Sequence, residues 1–135
     1  MANTFYLEII TPNRQFISGA AEGLVFPALD GSYGVEAGHE PEVTALLAGT
    51  LQYKVDGSWH IAAVSDGFAE VMPDYVILLV SAAERPEEID ENRALAAKAR
   101  AEEQLRQKQS LQEYYRSKAA LARAMARLKT KGRQL

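Results

Sequence analysis

The sequence predicts an N-terminal antiparallel β-sandwich over residues 1–85, followed by a C-terminal antiparallel two-helix hairpin over residues 86–135. Three observations carry this reading. Turn signals recur about every 8–12 residues through the first half, with alternating or β-branched runs between them. Pro86 is the last proline, and beyond it the only glycine is Gly132. Alanine then becomes frequent, and alanine is the best helix former.

The strands follow in order. Phe5 to Ile10 is rich in aromatic and β-branched residues, and Thr11-Pro12-Asn13 ends it. Leu24-Val25-Phe26 precedes Pro27 and the turn signal Asp30-Gly31. Leu51 to Val55 alternates, and Asp56-Gly57 joins it to Trp59–Val64. Asp-Gly between two such runs marks a type I′ hairpin, whose central residues both need positive φ. Asp66-Gly67 and Pro73-Asp74 bracket a run from Phe68 to Met72. Tyr75 to Val80 reads as the last and most buried strand.

Two helices are expected, over about residues 88–107 and 111–130. Glu87, Glu88, Asp90 and Glu91 open the segment, and lysines and arginines close it, matching the helix dipole. Ser110, with Glu113 three residues on, reads as a capping box for the second helix. The apolar stripe of that helix is thin: Tyr114, Leu121, Met125 and Leu128, with alanine filling the rest. Burial stabilises by roughly 25 cal/mol per Å² of apolar area, so an alanine interface docks weakly.

The absence of cysteine excludes disulfides and thiolate chemistry. No basic-then-apolar leader is expected at the N-terminus. The longest apolar run, Val76–Val80, is far short of the roughly 20 residues that span a bilayer, so membrane contact is expected only through partners. Charge divides between the halves. Residues 1–85 hold eleven acidic residues against three basic, and residues 86–135 hold seven against twelve. Such a split is a partner signal rather than a fold signal. The basic run lacks interleaved aromatics and the whole chain is acidic, so nucleic acid is not an expected partner.

No catalytic motif is present: no phosphate-binding loop, no dinucleotide fingerprint and no nucleophile–base pair. His60 reads as an ordinary strand residue. His39, in a loop with Glu36 and Glu40, is either a loop-ordering residue or a partner contact. Glu36, Glu40 and Glu42 read as a solvated acidic surface. The sharper constellation is basic. Arg93 and Arg100 are seven apart on the first helix, Arg123 and Arg127 four apart on the second, and Arg116 lies seven before Arg123. Spacing leaves two readings open: a solvated basic face with intrahelical pairs such as Asp90–Arg93, or a cluster that an anion bridges.

These residues resemble the epsilon subunit of bacterial and chloroplast ATP synthases along essentially the whole chain. The carrying segments are Phe5–Pro12, Phe16-Ile17-Ser18-Gly19, Gly34-Val35 to His39 with Pro41 and Thr44-Ala45-Leu46, Ser65 to Val71, and Ala83-Glu84-Arg85 followed by Ile89-Asp90 and Arg93-Ala94. Ala37 stands where the family usually has proline, and Ser32-Tyr33 where it usually has Glu-Leu.

The resemblance implies a non-catalytic central-stalk subunit of a proton-translocating ATP synthase. Its partners would be the gamma subunit, the c-subunit ring and the alpha/beta catalytic head. The expected location is peripheral, on the cytoplasmic face of the cell membrane. The helices would inhibit ATP hydrolysis when extended, and a regulatory ATP would hold them folded; no cofactor is required. By the resemblance, Glu84, Ile89, Asp90 and Ala94 would surround the base and sugar. Arg93, Arg100, Arg123 and Arg127 would face the phosphates, and Ser32, Glu36 and His39 the ring. The alternative is a stand-alone ATP-sensing or adaptor protein of the same architecture.

Overall fold

The computed structural model describes residues 3–133. Met1, Ala2, Gln134 and Leu135, the outermost residues of the two expected domains, lie outside that range. The strands are β1 (Phe5–Ile10), β2 (Gln15–Ala21), β3 (Gly23–Ala28), β4 (Gly31–Val35), β5 (Glu42–Leu46), β6 (Gly49–Val55), β7 (Ser58–Val64), β8 (Gly67–Val71), β9 (Tyr75–Val80) and β10 (Ala83–Glu84). A 3₁₀ turn over Pro86–Glu88 precedes helices α1 (Glu91–Arg106) and α2 (Leu111–Gly132).

Two five-stranded sheets face each other, in the orders β2-β1-β9-β8-β5 and β10-β7-β6-β3-β4. The pairing is antiparallel except between β1 and β9, which run parallel. Alternate side chains enter the space between the sheets: Phe5, Leu7 and Ile9 from β1, Leu51 and Tyr53 from β6, and Val76, Leu78 and Val80 from β9. Asp56 and Gly57 both have positive φ, at 50° and 79°, as the hairpin turn requires. Gly67 answers a close approach rather than a turn: a Cβ there would stand 1.9 Å from the Leu79 carbonyl oxygen.

Three expectations need correction. β9 is not the most buried strand, because it buries one face only and Leu79 is exposed. The first helix starts at Glu91 rather than 88, since Pro86 nucleates a 3₁₀ turn and Asp90 caps α1 by accepting the Arg93 amide at 3.1 Å. The buried face of α2 is Ser117, Ala124, Ala126 and Thr130; Tyr114 and Met125 are exposed. Small residues let the helices approach each other and the sandwich, so size outweighs hydrophobicity along this face. Ser110 caps α2, accepting the Glu113 amide at 3.2 Å; the return bond from the Glu113 side chain that would complete the expected capping box is not found among the described residues.

The contiguous core cluster is drawn entirely from residues 5–83. The helices therefore sit on a sandwich that already has its own core. They dock through α2, which packs on β6 and β7. A buried phenylalanine or leucine contributes about 1.5–3 kcal/mol, against ~0.8 kcal/mol for each buried methylene-sized group. An interface made by Ala126 and Thr130 belongs to the second class.

A candidate ligand cleft and two further surfaces

The chain bends twice between sandwich and helices, at the 3₁₀ turn and at the extended pair Ile89-Asp90. The bends carry Glu84, Glu88 and Asp90 past one side of the hairpin, opposite Arg93 and Arg100 of α1 and Arg127 of α2. A cleft of about 520 Å³ opens among them. Ala94, Ala96 and Ala97 also line it, and their short side chains leave the space unfilled.

Six of the eight residues expected at a ligand site line this cleft: Glu84, Asp90, Arg93, Ala94, Arg100 and Arg127. The other two do not. Ile89 is buried and absent from the lining. Arg123 borders a different cavity, nearer the hairpin turn, together with Arg116, Gln104 and Ser117.

The electrostatics also differ from four converging cations. Three carboxylates share the cleft with three guanidiniums. Arg127 donates through Nε to Glu84 at 2.5 Å. Glu88 pairs with Arg14 at 2.8 Å, and that bond holds its carboxyl below the ordinary glutamate range despite opposing burial. The expected Asp90–Arg93 ion pair is not among those of the described residues; the carboxylate takes the helix-capping role instead. Arg93 and Arg100 have no ion-pair partner among the described residues and stand free to meet an anion. The arrangement suits an anionic ligand that forked guanidiniums can bind and that short alanine side chains leave room for. It offers no nucleophile beside a base.

The second surface is the loop between β4 and β5. Strand register places Val35 beside Leu24, toward the Lys54–Ser58 end of the sandwich. β10 begins at the other end, where Gly49, Val64 and Ala83 align, and the chain then runs back along β7, so that Pro86 and Glu87 share a cavity with Trp59, His60 and Ile61. The loop is braced rather than free. Gly38 donates its amide to the Pro73 carbonyl at 2.7 Å. His39 Nδ1 lies 2.8 Å from the Glu40 carbonyl, and its Nε2 is 3.4 Å from the Tyr33 hydroxyl. Tyr33 stacks on Phe26 and donates to Glu42. Burial, then the Glu42 carboxylate, push its phenol up to about 12. His39 thus orders the loop, while Glu36 is exposed there. Ser32 is exposed too, but pairs with Pro27 toward the other end of β4.

Sequence reading missed a third surface. Val43, Phe68 and Leu79 are 72%, 63% and 55% exposed on neighbouring strands β5, β8 and β9. Phe68 is in register with both Ala45 and Leu79. Large apolar residues at the outward positions of β8 and β9 were the available signal. Such an apolar strip across the outer face of a sheet is a candidate docking site.

Comparison with known proteins bears on the chain as a whole. Residues 4–86 match the family model for the β-sandwich domain of the ATP synthase delta/epsilon chain, and residues 87–132 match its long α-helix domain. The chain is 54% identical over 131 residues to the ATP synthase epsilon chain of Ruminiclostridium cellulolyticum, covering 97% of this chain and 98% of that one. It is 52% identical to the epsilon chain of Caldanaerobacter subterraneus, over 96% of this chain and 94% of that one. Among solved structures, a chain of the Euglena gracilis mitochondrial ATP synthase OSCP/F1/c-ring assembly shares the fold. Its TM-score is 0.81 at 23% identity, over 96% of this chain and 81% of that one. A chain from the Tetrahymena thermophila central stalk and c-ring has a TM-score of 0.68 at 11% identity, over 94% of this chain and 96% of that one.

Proposed function

The chain belongs to the ATP synthase delta/epsilon family, and from that premise we propose that it couples the membrane ring to the catalytic head and restrains ATP hydrolysis through its helical hairpin. It is a non-catalytic subunit of the complex. The observation that carries the reading is the unequal build of the two halves. The sandwich closes its own core, whereas the hairpin rests on it through alanine and threonine. Such a hairpin can be detached at modest cost while the sandwich stays assembled.

In this reading the Val43–Phe68–Leu79 strip packs on the gamma subunit. The braced loop with Glu36 and His39, at the end of the sandwich opposite the Thr50–Thr130 contact, meets the c-subunit ring, and Ser32, farther along β4, extends that contact along the flank. The chain would sit peripherally on the cytoplasmic face of a proton-translocating membrane; none of its described helices is long and apolar enough to cross one. When extended, the basic α2 would meet an acidic surface on the alpha/beta head and block hydrolysis. ATP in the cleft would hold the helices down, with Arg93, Arg100 and Arg127 on its phosphates and Glu84, Asp90 and Ala94 near its base and sugar.

Reassembly of the complex with a chain ending after Glu88 tests the proposal. The shortened chain should still bind and support coupled synthesis, while hydrolysis rises. Failure to assemble would show that the helices carry the main contact.

A further inference from the structure

The segment joining sandwich to hairpin is held by contacts in which the helices take no part. Arg14, in the turn between β1 and β2, donates through Nη2 to the Ala83 carbonyl at 2.9 Å. Its Nη1 lies 2.8 Å from Glu88. Arg85 donates to the Phe16 carbonyl at 3.1 Å and reaches the same Glu88 at 3.5 Å. Both guanidiniums lie over the Phe16 ring, Arg14 at 5.0 Å and Arg85 at 4.5 Å from its centre. Glu88 also accepts the Arg85 amide at 2.9 Å. Arginine suits this role, because a planar fork can bond a carboxylate and a carbonyl while stacking on an aromatic face.

Among the described residues, the side-chain hydrogen bonds from the hairpin to the joining segment and the sandwich are the Thr50–Thr130 hydroxyl contact, the Glu84–Arg127 pair and a bond from Lys131 Nζ to the Pro86 carbonyl at 2.9 Å. Ile89 and Asp90 are both extended. The Ile89 amide bonds back to Pro86, and the Asp90 carbonyl accepts forward from Ala94, so the bond between the two residues separates the turn from the helix.

We propose that Arg14, Phe16 and Arg85 form a positioning clamp that keeps residues 83–88 on the sandwich when the helices leave, so that the hairpin pivots at Ile89–Asp90. Glu84 and Glu88, one wall of the cleft, then stay in place while Arg93, Arg100 and Arg127 move away. The clamp rests on the reading that the hairpin can leave the sandwich, and it does not depend on a nucleotide in the cleft.

The Glu88 carboxyl is the local probe. It faces the Arg14 and Arg85 guanidiniums and the Arg85 amide, across a cleft shared with Glu84, Asp90, Arg93, Arg100 and Arg127. In the full chain, Thr130→Asp, or Ala126→Glu as a second route, places a charge at a buried α2 position and should release the helices. Carboxyl NMR then follows the Glu88 titration midpoint. The clamp keeps that midpoint depressed after release. Arg14→Gln raises it toward the ordinary glutamate value whether or not the helices are docked, and Arg14→Lys restores part of the depression. A midpoint that returns to the ordinary value on release, with Arg14 intact, would overturn the proposal. So would helices that leave only when the amide signals of residues 83–88 are lost with them.

Discussion

Thr130, wholly buried on α2, places its hydroxyl 2.8 Å from that of Thr50 on β6, so this pair joins the Arg127–Glu84 and Lys131–Pro86 bonds in fastening the helical hairpin. Removing one partner leaves the other hydroxyl without its bond in a part-buried contact, at ~1–3 kcal/mol, whereas replacing both can be nearly neutral. Thr130→Val should therefore speed amide exchange of α2 about fivefold or more, since ~1.4 kcal/mol is tenfold. Thr50→Val with Thr130→Val should recover most of the loss. Exchange unchanged in the single variant would show that the pair does not hold the hairpin.

The apolar strip yields a second expectation. Phe68 and Leu79 are exposed, so Phe68→Ser with Leu79→Ser should change the isolated chain's stability by only ~0.5 kcal/mol per site. Assembly into the stalk should nevertheless drop sharply in a pull-down with the gamma subunit. A chain that still assembles normally would remove this face from the interface.

Tyr33 gives a pH signature. Its phenol is raised from its ordinary value to about 12. The folded loop favours the protonated form, so this contribution is fully present below the unfolded value near 10. It fades as pH rises from there through about 12. Chemical unfolding across that alkaline window should lose stability in the native chain and lose less in Tyr33→Phe. Equal losses in both would assign the effect to other groups.

Much of the fold was legible because its signals are local. Asp56-Gly57 fixed one hairpin, and the proline and alanine distributions marked the passage to helix. The face of α2 was not legible. Thr130 is buried because it meets Thr50, eighty positions away in the chain, and nothing in the helix itself announces that partner. Choosing large apolar side chains selected Tyr114 and Met125, which the structure leaves exposed. In the cleft, spacing placed Arg93 and Arg100 together but grouped Arg123 with Arg127. One helical turn was enough to send Arg123 to another cavity. The roles of Arg14 and Arg85 are long-range as well, and no motif carries them.

Calorimetric titration of the isolated chain and its arginine variants with ATP tests the cleft most directly. The account predicts measurable binding to the unmodified chain. It predicts a loss of roughly tenfold or more in Arg93→Ala and in Arg127→Ala, as expected when a charge-assisted bond of about 1.5–3 kcal/mol is removed. Arg123→Ala, outside the cleft, should weaken binding less than either. No detectable binding to the unmodified chain at millimolar ATP would contradict the account, and so would equal binding in Arg93→Ala, Arg127→Ala and Arg123→Ala.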